Sequence, residues 1–210
     1  MGVPVLILGE SGSGKSASLR NFSPDDVVIY NVAGKPLPFR NGTKLHRADN
    51  ATYGIILQNM AKAKFKTYVI DDSQYLLSFE LFNRVGETGY TKFTEMAKHF
   101  YDLIQFVIRS TPQDTIVYFL HHIEMMDGRA KAKTVGKMLD EKLTVEGLFS
   151  IVLMAQNNDG KHVFLTQSDG KNTVKTPMDM FAEAEIDNDL KMVDDTIREY
   201  YGMKKGSTNE

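Results

Sequence analysis

The sequence predicts an α/β fold: a mostly parallel sheet with helices on both faces and a β-hairpin towards the C-terminus. Three observations carry this. Short apolar runs alternate with segments whose apolar residues recur every three to four positions, the pattern of strands alternating with helices. The first run, Val3-Pro4-Val5-Leu6-Ile7-Leu8, leads straight into Gly9-Glu10-Ser11-Gly12-Ser13-Gly14-Lys15-Ser16, a glycine loop of the kind that joins a buried strand to a helix. Asn157-Asn158-Asp159-Gly160 is a turn signal between two further apolar runs.

Taken in order, residues 3–8 read as the first strand and residues 16–21 as a short helix. Val27-Val28-Ile29-Tyr30-Asn31-Val32 is the second strand, followed by a Gly/Pro-rich loop over residues 33–41. Asn50 is placed to cap a helix whose apolar face is Tyr53, Ile56, Leu57 and Met60. Thr67-Tyr68-Val69-Ile70 is the third strand, ending at Asp71-Asp72. Phe93, Met96, Ala97, Phe100, Leu103, Ile104, Val107 and Ile108 fall at helical spacing and define a long amphipathic helix. Residues 115–120 form the fourth strand, ending at His121-His122, and a polar, basic stretch follows over residues 127–137. Residues 151–155 are the fifth strand, and residues 161–166 return as its hairpin partner. Leu190, Val193, Ile197 and Tyr200 mark a last helix capped by Asn188. No repeat or long linker divides the chain. One domain over residues 1–203 is expected, with a flexible polar tail at 204–210.

Composition narrows the classes. The chain of 210 residues is long enough for a full core, and 42% apolar with 25% charged residues is ordinary for a soluble globular protein. The net charge of −2 gives no global electrostatic case for nucleic acid, although a local basic element can still provide one. With no cysteine, disulfides and thiol catalysis are excluded. No signal peptide or apolar stretch long enough to span a bilayer is read, so no membrane association and a cytoplasmic location are expected.

The loop over residues 9–16 is G-x-x-x-x-G-K-S, a phosphate-binding loop in its proper strand context. Its glycines let backbone N–H groups turn inward on a phosphate chain. Lys15 would place an ammonium on the β- and γ-phosphates and Ser16 a hydroxyl on Mg²⁺. A helix starting near Lys15 would add its positive end. The set expected to hold nucleotide is therefore Gly9, Glu10, Ser11, Gly12, Ser13, Gly14, Lys15, Ser16 and Ala17. Such a loop needs an acid at the end of a buried strand, and Asp71 supplies it as the metal-side carboxylate beside Ser16. Asp72 admits two readings: it orients the attacking water, or it caps the segment Ser73-Gln74-Tyr75. His122, at the carboxyl end of a central strand, is read as a γ-phosphate sensor rather than as part of a His-x-Glu metal site with Glu124. Lys15, Asp72 and His122 are thus the candidate catalytic residues.

Residues 128–137 carry Arg129, Lys131, Lys133 and Lys137 and no acid. This can be a solvated loop, a set of contacts to a nucleic-acid backbone, or a source of cations for a neighbouring subunit's nucleotide. Gly128 and Gly136 flank it as hinges of a mobile loop. Residues 79–90, with Phe82, Arg84 and Tyr90, are a second candidate surface, although their aromatics are read as core rather than as base-stacking platforms.

Taken together, these segments resemble the RecA-like P-loop ATPases of phages, in the AAA-domain phage group that includes the Sak-type single-strand-annealing recombinases. The resemblance rests on residues 9–16, on Val69-Ile70-Asp71-Asp72-Ser73, on His122-Ile123-Glu124, on Thr134-Val135-Gly136-Lys137-Met138-Leu139, and on Asn188-Asp189-Leu190-Lys191 before Tyr200-Tyr201. It implies a RecA-like core with one strand between the two nucleotide-binding strands. It also implies ATP and Mg²⁺ binding, self-assembly into a homo-oligomer, and a role in phage DNA recombination or replication beside a single-strand-binding protein. By position, residues 79–92 and 124–137 would match the two loops that hold single-stranded DNA. The sequence departs from the family at the end of the second strand, where Tyr30-Asn31-Val32-Ala33 offers no catalytic glutamate. A small-molecule kinase and an ATP-gated adaptor with little hydrolysis are the competing classes. No Arg-rich lid favours the first, and no Asn-Lys-x-Asp motif points to guanine.

Overall fold

The computed structural model describes residues 1–203; the tail expected at 204–210 lies outside them. The fold is mixed α/β, built on a mostly parallel sheet. Its strands, among the described residues, are β1 (Val3–Gly9), β2 (Val27–Asn31), β3 (His46–Asp49), β4 (Thr67–Asp71), β5 (Ile116–Met126), β6 (Arg129–Ala132), β7 (Ile151–Asn158), β8 (Lys161–Leu165) and β9 (Glu185–Asp187). The helices are α1 (Tyr53–Met60), α2 (Gln74–Asn83), α3 (Thr91–Ser110) and α4 (Leu190–Tyr200). The spatial order is β3-β2-β4-β5-β1-β7-β8-β9, with β6 added to the end of β5. From β3 to β7 all neighbours run parallel; β8 and β9 continue antiparallel.

The central strands are apolar at successive positions because both faces of the sheet are covered. Leu6 and Leu8 of β1 join Ile70, Val117 and Phe119 under α1, α2 and α3. Val5 and Ile7 join Val69, Tyr118 and Leu153 under α4. The predicted long helix is α3, which buries Met96, Ala97, Phe100, Leu103, Ile104 and Val107. Each large side chain among these contributes on the order of 1.5–3 kcal/mol, which is what holds α3 to the sheet.

Several expectations are corrected. Residues 16–21 form the short helix expected, but of 3-10 type, with Ser18 N–H at its start shared between Gly14 O and Lys15 O. The aligned dipoles expected at its start are correspondingly few. Thr52, not Asn50, caps α1 through Oγ1, which accepts from Ile55 N–H at 3.5 Å. Asn50 instead takes a left-handed turn, φ +54°. Asp189, not Asn188, caps α4, accepting from Lys191 N–H at 3.0 Å; Asn188 is buried one residue earlier. The strand β3 had no clear signal, since His46-Arg47-Ala48-Asp49 is an edge strand with little apolar character.

The larger difference is at β5. It does not end at His121-His122 but runs on through Met126 and pairs antiparallel with β6, Ile123 opposite Ala132 and Met126 opposite Arg129. Asp127 (φ +51°) and Gly128 (φ +74°) make the two-residue turn between them. The expected basic loop is therefore in part a β-hairpin. Phe82 and Tyr90, expected in the core, are 72% and 89% exposed at the end of α2 and the start of α3. Among the described residues, no helix is long and apolar enough to cross a membrane.

Candidate nucleotide site

Parallel strands bring their carboxyl ends to one edge, and the register fixes which residues meet there. Asn31 lies opposite Asp71, and Gly9 lies opposite His122. The loop after β1 and the acids at the end of β4 thus face each other across the end of β5.

Within the loop, Gly14 has φ +97°, and a Cβ there would lie 2.9 Å from His162 Nδ1. At Gly9 a Cβ would lie 2.5 Å from Ser13 Oγ and 2.8 Å from Ala155 O. Side chains are excluded at both positions, so the loop can only close in this form with glycine. Lys15 is buried, and its Nζ donates to Gly9 O and Glu10 O, each at 2.8 Å. Burial lowers its pKa to about 8, a shift that the carboxylates of Asp72 and Asp71 only partly oppose. Ser13 Oγ is buried and has no hydrogen-bond partner among the described residues, which leaves a hydroxyl inside the loop for an added acceptor.

Ser16 Oγ donates to Asp71 Oδ1 at 2.8 Å, across 55 positions of sequence. Burial raises the Asp71 pKa to about 6, against the opposing effect of the Ser16 hydrogen bond. A buried carboxylate beside a hydroxyl is a hard-oxygen donor pair that gains from a divalent cation. The neighbouring acid behaves differently. Asp72 takes φ +60°, which turns the chain out of β4 into α2 and leaves its side chain in the cleft. Its Oδ1 accepts from His122 Nε2 and its Oδ2 from Lys35 Nζ, both at 3.1 Å. Burial pushes this carboxyl up, but those two hydrogen bonds outweigh it and hold the pKa below the usual range. Asp72 makes no side-chain cap to α2; only its carbonyl does, accepting Tyr75 N–H at 2.9 Å.

The two histidines divide their work. His122 lines the cleft, its ring edge-on to Tyr75 at 5.5 Å. His121 is fully buried, and desolvation lowers its pKa to about 4, so it is neutral. Its Nε2 donates to Lys133 O and its Nδ1 accepts from Ser73 Oγ, both at 2.9 Å. His121 therefore ties the residue after Asp72 to the far end of the basic hairpin.

A cleft of about 420 Å³ joins Lys15, Ser16, Lys35, Asp71, Asp72, His122 and His162. Ser11 and Gly12 line both this cleft and a second groove of about 730 Å³, which Glu10 and Ser13 also border and which is walled by Ile123, Met125, Ala130 and Met154. Alternation along β6 places Arg129 and Lys131 together on the face of the hairpin away from this groove, with Ala130 and Ala132 turned inward. Arg129 donates to Asn172 O, and Lys131 is 3.6 Å from Glu124. Lys133 and Lys137 are exposed. Arg129, Lys131 and Lys133 thus lie apart from the Lys15–Asp71 cleft.

Sequence reasoning missed two contributors. His162 of β8 donates from Nδ1 to Ser13 O at 3.1 Å, bracing the loop from the hairpin. Lys35 reaches Asp72 from the loop after β2. No motif marks either residue; only the hairpin turn at 157–160 and the Gly/Pro content of residues 33–41 hinted that these segments return to the site. No protein-family model matches this sequence, and no curated protein matches it.

Proposed function

We propose that the chain is a Mg²⁺-dependent ATPase with a RecA-like P-loop core, acting on single-stranded DNA in phage recombination or replication. The observation that carries this reading is the Ser16–Asp71 contact at 2.8 Å beside the buried Lys15, because it unites a glycine loop, a cation and a two-oxygen metal site from distant parts of the chain. The placement of β5 between β1 and β4 also agrees with it. Loop residues 9–16 and Ala17 would hold the phosphates, with Lys15 exchanging Gly9 O and Glu10 O for phosphate oxygens. Ser16 and Asp71 would hold Mg²⁺, which when bound neutralises charge on the phosphates. Asp72, held by His122, would orient water. In the reaction the water oxygen bonds to the γ-phosphorus, the bond to the bridging oxygen breaks, ADP leaves, and the water proton passes to the released phosphate. Asp72 serves here as a hydrogen-bond acceptor more than as a proton store, in keeping with its low pKa.

Exchanging the two acids separately tests the assignment. Asp71→Asn is expected to weaken Mg²⁺-dependent ATP binding at least about tenfold, from removal of one charged metal ligand. Asp72→Asn is expected to keep binding and lower turnover by about a hundredfold, within the range for a positioned acid–base group. Full turnover in both variants would remove these acids from the chemistry.

Self-assembly and a single-strand-binding partner enter this proposal through the resemblance alone. The DNA part is supported by Arg129 and Lys131 standing on one face of β6 with exposed Lys133 following. Alanine at all three is expected to weaken single-stranded DNA binding and to reduce the log–log salt slope by roughly 0.7 for each phosphate no longer neutralised. Unchanged affinity and slope would reject this face as the DNA-binding surface.

A further inference from the structure

We propose that Lys35 is a second phosphate-binding cation, which leaves Asp72 for the terminal phosphate of a bound nucleoside triphosphate and so frees Asp72 to hold the attacking water. This rests on the nucleotide reading above and assigns the loop after β2 a part in it. The end of β2 offers no acid, and a lysine follows in the loop beyond it.

The backbone at Lys35 is held in place. Buried Asn31 donates from Nδ2 both to Lys35 O and to Asp49 Oδ1, each at 2.7 Å. Gly34 has φ +67° and packs so closely on Asn50 that a Cβ would lie 2.4 Å from its Oδ1. Pro36 and Pro38 restrict the next residues. The side chain, by contrast, is free to exchange partners. It is 61% exposed, and it meets the Asp72 carboxylate at 3.1 Å and the face of Tyr75 at 5.0 Å. The lysine end of the pair is open to water, and phosphate oxygens are strong competing acceptors for an ammonium.

The position of Lys35 selects the terminal phosphate. It sits on the acid next to Asp71, on the Ser16 side of the loop, and lines the same cleft as Lys15. It also competes with the chemistry as it stands: each oxygen of Asp72 already accepts one hydrogen bond, one from His122 and one from Lys35. Release of either partner gives up an acceptor site, and the space beside it, to a water, and Lys35 is the more exposed partner. The same movement that adds a cation to the phosphate would therefore open the carboxylate.

The test compares wild type, Lys35→Ala and Lys35→Arg by calorimetric titration with Mg²⁺–ADP and with the Mg²⁺ complex of a non-hydrolysable imido analogue of ATP, followed by steady-state ATPase kinetics. Lys35→Ala is expected to reduce the preference for triphosphate over diphosphate about tenfold, the size of one charged hydrogen bond. Diphosphate affinity should stay within about twofold, since the loop at residues 9–16 is untouched. Turnover should fall more than KM rises, and Lys35→Arg should restore most of the preference. An unchanged preference in Lys35→Ala, or equal losses for both nucleotides, would overturn the proposal while leaving the loop assignment standing. Failure of the wild type to bind diphosphate at all would overturn both.

Discussion

Lys15→Ala is expected to abolish measurable ATP turnover, a drop of at least about a thousandfold, at the upper end for removing one preorganised donor from a reacting charge. The structure explains the size. Lys15 is almost wholly buried in the loop, and its ammonium is held by Gly9 O and Glu10 O at 2.8 Å. Burial has already taken most of the water from this cation, as its lowered pKa shows. A phosphate chain entering the loop would meet a positive charge with little left to desolvate. Alanine leaves the loop backbone formed, because the glycines and the His162 brace are unaffected, but it leaves the phosphates facing carbonyl oxygens. Turnover within about twofold of wild type would remove the loop from the mechanism.

The second large effect is on stability and lies at the other end of the sheet. Arg198 of α4 is fully buried and donates from Nε to Asp194 Oδ2 at 2.7 Å. Its other nitrogens reach Asp114 O, Lys66 O and Thr67 Oγ1 at 2.8–3.0 Å. These carbonyls precede β5 and β4, so one side chain fastens α4 to the starts of two central strands. Asp194 also accepts from the hydroxyls of Thr67 and Tyr118. Burial raises its pKa even against these partners. Arg198→Met strands that carboxylate and is expected to cost about 3–5 kcal/mol. At about 2–4 °C per kcal/mol for a chain of this size, the thermal midpoint should fall by about 10 °C. The double variant with Asp194→Asn should recover part of the stability, because the stranded charge is gone. Thermal denaturation followed by circular dichroism checks both. A shift under about 2 °C for Arg198→Met would mean that the pair is solvated in practice. Nucleotide affinity should be unchanged in either case.

The alternation of apolar strands and amphipathic helices was legible because both faces of this sheet are buried, and burial is what selects apolar residues. The hairpin after β7 was legible through Asp159-Gly160, whose φ values of +51° and +91° are the ones such residues favour. The equivalent signal, Asp127-Gly128, was present but masked: the strands around it carry Glu124, Arg129 and Lys131, so the segment read as charged loop. Charge on one face of a hairpin does not forbid pairing, since alternation puts Ala130 and Ala132 on the other. The cap at Asn50 failed because Asn and Thr both serve, and Asn50 also suits the left-handed turn that precedes Thr52.

That Lys15, Ser16 and Asp71 meet in one cleft was legible because each is fixed by a local strand-to-loop pattern. The Asp72 ambiguity was not, since its side chain is decided by a lysine 37 positions away. Lys35 and His162 depend on loops folding back from neighbouring strands, and nothing in their local sequence encodes the partner. The buried Arg198–Asp194 pair lies at helical i, i+4 spacing, which in sequence looks the same as a surface pair.

The central claim is that residues 9–16 and Asp71 form one Mg²⁺–triphosphate site, and calorimetric titration of ATP into the protein, with and without Mg²⁺, tests it most directly. The account predicts saturable binding of one nucleotide per chain that weakens at least about tenfold when the metal is chelated and disappears in Lys15→Ala. Absence of binding, or binding indifferent to both the metal and Lys15, would contradict it.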